Sequence, residues 1–325
     1  MKAVALISGG LDSTLASKVI LEQGIEVFGV TFITPFFNEN NAIKVCRQLK
    51  IDLKIIDISL EHLKIVKSPK YGYGKNMNPC IDCHALMIKY AGKYMGEIGA
   101  SFIITGEVLG ERPKSQTKQA LWIVEKESGF IDRILRPLSA KLLPETLPER
   151  EGWVDRNKLL AFHGRSRRPQ MELAQRLGIS NYLTPAGGCL LTDPGFSNRI
   201  KDLMKFSPNP EVSDIELLKI GRHFRISKQS KAIIGRNEEE NKRLLALCQE
   251  GDYIFKTIDF PGPITIGRGM MTQEELSTVA AITSRYSKAH YLPKVKVSLR
   301  RILNGYEEIL MITPIKDEDM AFLRI

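Results

Sequence analysis

The sequence predicts an α/β fold, a parallel sheet with helices on both faces, followed by a smaller α+β domain. Three observations predict it. Short apolar runs alternate with helical patterns through residues 1–206, the order that builds a parallel sheet from crossover units. The first apolar run breaks at once into a glycine turn that opens a helix. After Ser207-Pro208-Asn209-Pro210, two prolines among polar residues, the pattern changes to short strands and capped helices over 211–325.

Ala3 to Ile7 reads as a buried parallel strand. Ser8-Gly9-Gly10 follows, and Asp12 or Ser13 starts a helix whose apolar positions are Leu15, Ala16, Val19 and Ile20. A strand, a glycine turn and a helix N-terminus together form an anion site, because backbone N–H groups and the helix dipole both favour negative charge there. Ile25 to Ile33 and Leu53 to Ile58 read as further strands, with a helix over Asn40 to Leu49 between them. Ala85 to Ile98 is helical, and Phe102 to Thr105 is a short strand ending at Gly106. Ligands of such sheets sit at the carboxyl ends of the strands. Ser8, Phe32 and Thr105-Gly106-Glu107 are therefore expected to converge.

The turn lacks the lysine of the Walker loop and the spacing of the dinucleotide fingerprint. Ser8-Gly9-Gly10-Leu11-Asp12-Ser13 resembles the PP-loop of the ATP pyrophosphatases, which split ATP between its α- and β-phosphates and adenylate a substrate. The resemblance implies ATP and Mg²⁺ held by Ser8, Gly9, Gly10, Asp12 and Ser13, with Asp12 near the phosphate-bound Mg²⁺. It also puts adenine at the backbone near Phe32 and the nucleotide close to Gly106. The residues alone leave a ligand-free glycine turn and plain sheet packing as the other readings.

A chain of 325 residues with 43% hydrophobic residues has room for two cores. No stretch is apolar and long enough to span a bilayer, and Met1-Lys2 leads into a strand rather than a signal peptide. A cytoplasmic protein without a membrane partner is expected. The net charge of +10 suggests a polyanionic partner. Residues 1–210 hold 29 basic and 21 acidic side chains, against 18 and 16 in 211–325. The excess lies in the first part, so the first domain is expected to meet that partner too.

Five cysteines, an odd number, argue against a disulfide framework. Cys46 and Cys248 read as plain buried thiols. Cys80 and Cys83 stand in Pro79-Cys80-Ile81-Asp82-Cys83-His84, a CxxC at a helix start, the spacing of a redox pair, a zinc half-site or an iron–sulfur half-site. Zinc wants a second pair, and the sequence instead offers Cys189 alone, in the Gly-rich stretch Pro185 to Pro194. Three thiolates suit three irons of a [4Fe–4S] cluster and leave the fourth iron open. His84 reads as a helix-start residue rather than a ligand.

CxxC with a distant cysteine, after a PP-loop, resembles the cluster-dependent tRNA thiolation enzymes related to the 4-thiouridine synthases. That resemblance implies catalytic roles for Asp12, Cys80, Cys83 and Cys189, a [4Fe–4S] cluster on Cys80, Cys83 and Cys189, and a sulfur donor, either sulfide or a persulfide carrier protein. A second thiolase reading uses the cysteines directly, Cys80 or Cys83 with Cys189, as persulfide donor and resolving thiol. Zinc and three unconnected structural thiols are the remaining readings.

Basic loops surround these motifs. Lys67 to Asn78 carries Tyr71 and Tyr73 among lysines, a composition that stacks unpaired bases or is merely solvated. Arg112 is placed to meet phosphate and Gln116 to bond a base or the adenylate. Arg136-Pro137-Leu138 matches a segment common in PP-loop enzymes. Arg165, Arg167 and Arg168 form the densest basic cluster, just before a helix that Pro169 suits. Arginines oppose the dipole there, so an anion such as RNA phosphate is expected to offset them.

In 211–325, Arg222 to Ile226 and Lys231 to Gly235 read as paired strands, followed by a helix capped by Asn237. Tyr253 to Thr257 and Ile264 to Ile266 are further strands. Thr272 and Glu275 form a capping box for the next helix. A last strand pair, Lys294 to Leu299 and Glu308 to Thr313, turns at Asn304-Gly305. Gly235 to Asn241, Phe260-Pro261-Gly262-Pro263 and Ala280 to Lys288 resemble the RNA-binding domain of the NFACT proteins of ribosome quality control. The resemblance implies nucleic-acid contact by Arg225, Lys231, Arg236, Arg268, Tyr286 and Lys288. The near-neutral charge also suits a structural or dimerising module, which leaves a homodimer open.

The expected function is an ATP-dependent tRNA sulfurtransferase. It adenylates a nucleobase carbonyl and exchanges its oxygen for sulfur, in the manner of 4-thiouridine or 2-thiouridine synthesis. One departure stands out: the usual 4-thiouridine synthases have an RNA-binding domain ahead of the PP-loop, and here the RNA module comes last. The competing expectations are a PP-loop amidase or ligase without sulfur chemistry, and a non-catalytic RNA-binding protein of ribosome surveillance.

Overall fold

The computed structural model describes residues 1–179, 188–207, 209–302, 305 and 307–325. The first sheet consists of β1 (Lys2–Leu6), β2 (Glu26–Ile33), β3 (Leu53–Asp57), β4 (Phe102–Ile104) and β5 (Ile134–Leu135). Its order is β3-β2-β1-β4-β5, and every neighbouring pair is parallel. The order reverses at β1, so the crevice beyond its carboxyl end is the natural ligand site of this topology.

Helices cover both faces, as expected. The first-unit helices are α1 (Leu11–Leu21), α2 (Asn40–Leu49), α3 (Ser59–Lys67), α4 (Cys80–Glu97), α5 (Lys118–Ser128), α6 (Leu147–Arg150) and α7 (Arg168–Arg176). Alternation along β1 explains the two layers. Ala3 and Ala5 join the core with Leu15, Val45 and Leu173 from α1, α2 and α7. Val4 points the other way, into the core with Ile88 and Val124 from α4 and α5.

Some boundaries move. The helix read over Ala85 to Ile98 begins at Cys80, where the CxxC was read as a helix start; Pro79 stands just ahead, and Asp82 in the first turn accepts from the Lys70 and Tyr71 N–H groups at 2.9 and 3.1 Å. The loop 67–78 is docked rather than free. Tyr71 donates to Glu127 at 2.8 Å and Tyr73 donates to the Val66 carbonyl at 2.7 Å, so both hydroxyls are committed to the protein.

The second unit adds α8 (Pro194–Phe206), α9 (Val212–Leu218), β6 (Arg222–Arg225), β7 (Ser230–Ile234), α10 (Glu238–Ala246), β8 (Tyr253–Thr257), β9 (Thr265–Gly269), α11 (Gln273–Arg285), β10 (Val295–Arg301), β11 (Glu307–Ile312) and α12 (Asp317–Ala321). Its sheet is antiparallel, in the order β11-β10-β8-β9-β7-β6. The Thr272–Glu275 capping box and the Asn237 cap are both formed. The two compact units divide at Thr192 and Asp193, ahead of the boundary expected after residue 206. The reason is local: Asp202 of α8 accepts from Arg225 Nε at 3.0 Å, and this pair ties the helix to β6. Pro208 and Asn304, which the sequence reading used for a linker and a turn, lie outside the described residues. Among the described residues no helix is long and apolar enough to cross a membrane.

Candidate active site

A cavity of about 390 Å³ opens beyond the carboxyl ends of β1, β2 and β4 in the first unit. The size is that of a ligand pocket. Ser8, Gly10, Asp12 and Ser13 line it, and so do Phe32 and Gly106. The convergence expected from the strand ends is therefore present.

The glycine turn is shaped by close backbone approach. Gly9 has φ +80°, and a Cβ there would lie 2.4 Å from Asn41 Cβ. Gly106 is tighter still in meaning: a Cβ would sit 2.4 Å from the Ser13 nitrogen and 2.6 Å from the Asp12 carbonyl carbon. The loop after β4 thus rests on the first turn of α1. Gly10 is the N-cap of α1 and supplies no side-chain cap. The first-turn N–H groups remain available to an anion. Ser13 and Thr14 hydroxyls donate to the Gly10 carbonyl at 3.0 and 2.9 Å and fix the turn.

Asp12 sits beside two arginines. Arg167 Nη2 donates to Asp12 Oδ2 at 2.9 Å, and Nη1 reaches Glu111 at 3.3 Å. Burial pushes the Asp12 carboxyl up, and Arg167 and Arg112 offset only part of that. Glu111 is also raised, first by burial and then by the Asp12 charge. Asp12 Oδ1 is buried and has no hydrogen-bond partner among the described residues. A buried carboxylate oxygen left so fits a cation.

The basic residues of the first unit divide. Arg112 is exposed at the cavity rim, and Arg167 lines the cavity as part of the phosphate-loop network. Arg168 is exposed and pairs with Glu172 at 2.8 Å. Arg165 is exposed. In the second unit Arg225 is held by Asp202, and Arg268 by Asp252 and Asp214 at 2.8 and 3.1 Å. Lys231 is only 5% exposed, and burial lowers its ammonium to about 8. Lys231, expected to contact RNA, is a buried residue of β7. Arg236 pairs with Glu240 at 2.8 Å but stays half-exposed, and Lys288 is exposed.

Cys80, Cys83 and Cys189 all line the same cavity. Residues 185–187 of the stretch before Cys189 lie outside the described residues. Cys83 is buried, and burial together with Cys189 and Cys80 pushes its thiol well above the usual range. Cys189 is pushed up to about 12, chiefly by burial. The three thiols are within electrostatic reach of one another. Among the described residues no group of three or more His, Cys, Asp and Glu side chains is placed to hold a metal ion.

Two histidines were not legible as site residues. His62 Nε2 lies 3.2 Å from Cys83 Sγ, with the Phe36 and Phe37 rings 5.4 and 5.5 Å from its own. Burial lowers its imidazole to about 4. His84, read as a helix-start residue, lines the cavity and bonds Glu107 Oε1 through Nδ1 at 2.8 Å. Glu107 Oε2 accepts from Arg136 Nε at 2.9 Å and from Thr105 at 3.1 Å. Burial pushes Glu107 up, but Arg136 and His84 outweigh it and hold the carboxyl at about 2.

Two parts of the chain match known families. Residues 1–141 match the family described as thiamine biosynthesis protein (ThiI). Residues 221–322 match the NFACT protein RNA binding domain. Among curated relatives, a probable tRNA sulfurtransferase of Thermococcus kodakarensis is 30% identical over 142 residues, covering 42% of this chain and 36% of the relative. A tRNA-specific 2-thiouridylase of Helicobacter hepaticus is 31% identical over 163 residues, covering 44% and 47%. The chain thus spans less than half the length of these relatives. Among solved structures, a 4-thiouridine synthetase–RNA complex with bound ATP is 24% identical with a TM-score of 0.36, covering 55% of this chain and 51% of that one. The C-terminal part of a fibronectin/fibrinogen-binding protein from Streptococcus suis has a TM-score of 0.29 at 13% identity, covering 49% and 77%.

Proposed function

We propose that the chain is an ATP-dependent tRNA sulfurtransferase. The observation that carries the reading is that Cys80, Cys83 and Cys189 line the same cavity as the Ser8–Ser13 loop. An ATP-splitting amidase or ligase has no need of three thiols there. The two family matches and the relatives named as thiolating enzymes support the same conclusion.

In this reading the first-turn N–H groups of α1 receive the phosphates, and Asp12 would hold Mg²⁺ through its unpartnered oxygen. Mg²⁺ supplies charge neutralisation of the phosphates when bound. A nucleobase carbonyl oxygen attacks the α-phosphorus and pyrophosphate leaves. The oxygen now departs as AMP, whose charge the loop amides stabilise. Sulfur chemistry is assigned to the cysteines themselves. Cys80 and Cys189 are the partly exposed pair, and Cys83 is buried against His62. A persulfide on one of the pair attacks the carbon and expels AMP. The other thiol then attacks the bridging cysteine sulfur, which frees the thiolated base and leaves a disulfide for an external thiol to reduce. Arg112 and Arg165 of the first unit, and Arg236 and Lys288 of the second, are the exposed cations proposed to meet RNA phosphate.

The test is ATP-dependent thiolation of unmodified tRNA, with a persulfide donor, read as AMP release and as thionucleoside in digests. AMP without thionucleoside in Cys189→Ala is the expected result. No RNA-dependent AMP from the wild-type protein would end the reading. Iron and sulfide analysis of anaerobically prepared protein belongs beside it. About four irons per chain, lost in Cys80→Ala, would move the sulfur from a persulfide to a [4Fe–4S] cluster.

A further inference from the structure

Helix α5 starts at the cavity and carries an exposed stripe that the phosphate loop and the thiols leave unused. Arg112 and Gln116 line the cavity, and the Thr117 side chain caps the helix. Lys118, Trp122 and Lys126 follow at spacings of four residues, which put them on one side of the helix in steps of about 6 Å. All three are exposed, Trp122 by 56%. Lys126 Nζ stands 5.3 Å from the centre of the Trp122 ring. The two carboxylates of α5 are committed elsewhere: Glu125 is held by Arg136, and Glu127 accepts from Lys70 Nζ at 2.9 Å and from the Tyr71 hydroxyl at 2.8 Å. Among the described residues neither Lys118 nor Lys126 forms an ion pair. A large aromatic ring between two uncompensated cations therefore faces solvent beside the cavity.

We propose that Lys118, Trp122 and Lys126 form an RNA-docking surface of the first unit, on which the Trp122 ring stacks with an unpaired base next to the one being modified and the two lysines meet flanking phosphates. An indole flanked by cations suits a polyanion with free base faces, because the base gives the ring a π-face and the phosphates give the lysines charge. The net charge of +10 favours such a partner over a second copy of the chain, which would bring like charge to the stripe. A base that enters the cavity must leave its stack, and this uncovers a face of its neighbour. Trp122 stands about one turn beyond the start of α5 at the cavity rim, where it can cover that face. The Lys126 contact adds attraction without hiding the ring, which stays more than half exposed.

The inference takes the identity of its RNA from the sulfurtransferase reading, and the experiment keeps the two apart. Tryptophan fluorescence of the full chain is followed as unmodified tRNA, an unpaired RNA oligonucleotide or a fully paired RNA duplex is added, over a range of salt. Wild type, Trp122→Ala, Trp122→Phe, Lys118→Ala and Lys126→Ala are compared, with ATP-analogue affinity and melting temperature measured beside them. The tRNA and the unpaired oligonucleotide are expected to quench wild type. The quench should vanish in Trp122→Phe, whose remaining tryptophan, Trp153, is stacked against Phe102. Affinity for tRNA should fall about fivefold or more in Trp122→Ala and less in Trp122→Phe, which keeps a ring to stack. Each lysine variant should reduce the salt slope by about one. Melting temperature and ATP-analogue affinity should not change. An affinity within about twofold of wild type in Trp122→Ala, or an equal quench by the duplex and the unpaired oligonucleotide, overturns the docking surface. A dimer that is lost in Trp122→Ala while tRNA affinity holds overturns it too, and gives the ring to a second copy. The sulfurtransferase reading is scored separately on wild type: no RNA-dependent AMP and no thionucleoside, beside the expected quench, ends that reading and leaves the RNA surface standing.

Discussion

Arg167 Nη2 donates to Asp12 Oδ2 at 2.9 Å, across a sequence separation of 155 residues. The bond closes the basic cluster before α7 onto the first turn of α1. Asp12 is thereby kept near a cation in a place where burial alone would favour its neutral form. Loss of a hydrogen bond to a charged group costs about 1.5–3 kcal/mol, or about ten- to a hundredfold in affinity. Arg167→Ala is expected to raise the KM for ATP by about that factor, with Arg167→Lys in between. Steady-state AMP release at varied ATP measures it, and an unchanged KM would separate Arg167 from the phosphate loop.

Gly106 has no left-handed conformation to defend. Its requirement is space, since a Cβ would lie 2.4 Å from the Ser13 backbone nitrogen. Gly106→Ala must push the β4 loop off α1, and such overpacking costs about 1–3 kcal/mol. Both a lower melting temperature and weaker binding of an ATP analogue are expected. A variant that melts lower but binds ATP normally would show that the contact serves packing alone.

His62 makes stability fall in acid. Its folded imidazole titrates at about 4 against the usual 6.5. Between those values the unfolded chain binds the proton and the folded chain does not, so stability declines as pH drops from 6.5 toward 4. The full effect is about 3 kcal/mol. Urea unfolding at pH 7 and pH 5 should show a smaller pH difference in His62→Gln than in wild type. An equal difference would mean that His62 opens to water before the global transition.

Arg225 and Lys288 were both expected to touch RNA, and they differ in exposure and partners: Lys288 is exposed. Arg225 is held by Asp202 and stacks over Phe206 at 4.5 Å. Arg225→Ala should lower the stability of the second unit by about 1–3 kcal/mol, in the range of buried hydrogen-bond losses. Lys288→Ala should leave the melt unchanged, weaken RNA binding and reduce the salt slope by about one. Equal RNA affinity for Lys288→Ala and wild type at low salt would remove that lysine from the interface.

Much of the site was legible because its chemistry lies in short continuous stretches. The glycine turn, the CxxC at the start of α4 and the strand ends each declare themselves within a few residues. His62 gave no such signal. It stands among Leu63 and Val66 on a short amphipathic helix, and only the approach of α4 brings Cys83 to it. Arg167 looked like a surface cation for the same reason, since Asp12 is remote in sequence. His84 read as a helix-start residue because its partner Glu107 lies just beyond β4, a segment the chain reaches later.

The sequence by itself determined the alternation of the main strands and helices, the phosphate turn and the presence of three candidate thiols. Those follow from local periodicity, glycine spacing and residue type, which neighbouring residues do not alter. Only the tertiary structure decided which charges are free. Arg167, Arg225, Arg268 and Lys231 all count toward the net charge, yet the first three are held in ion pairs and the last is buried. Partner and burial depend on distances between remote segments, and a list of residues does not contain those distances.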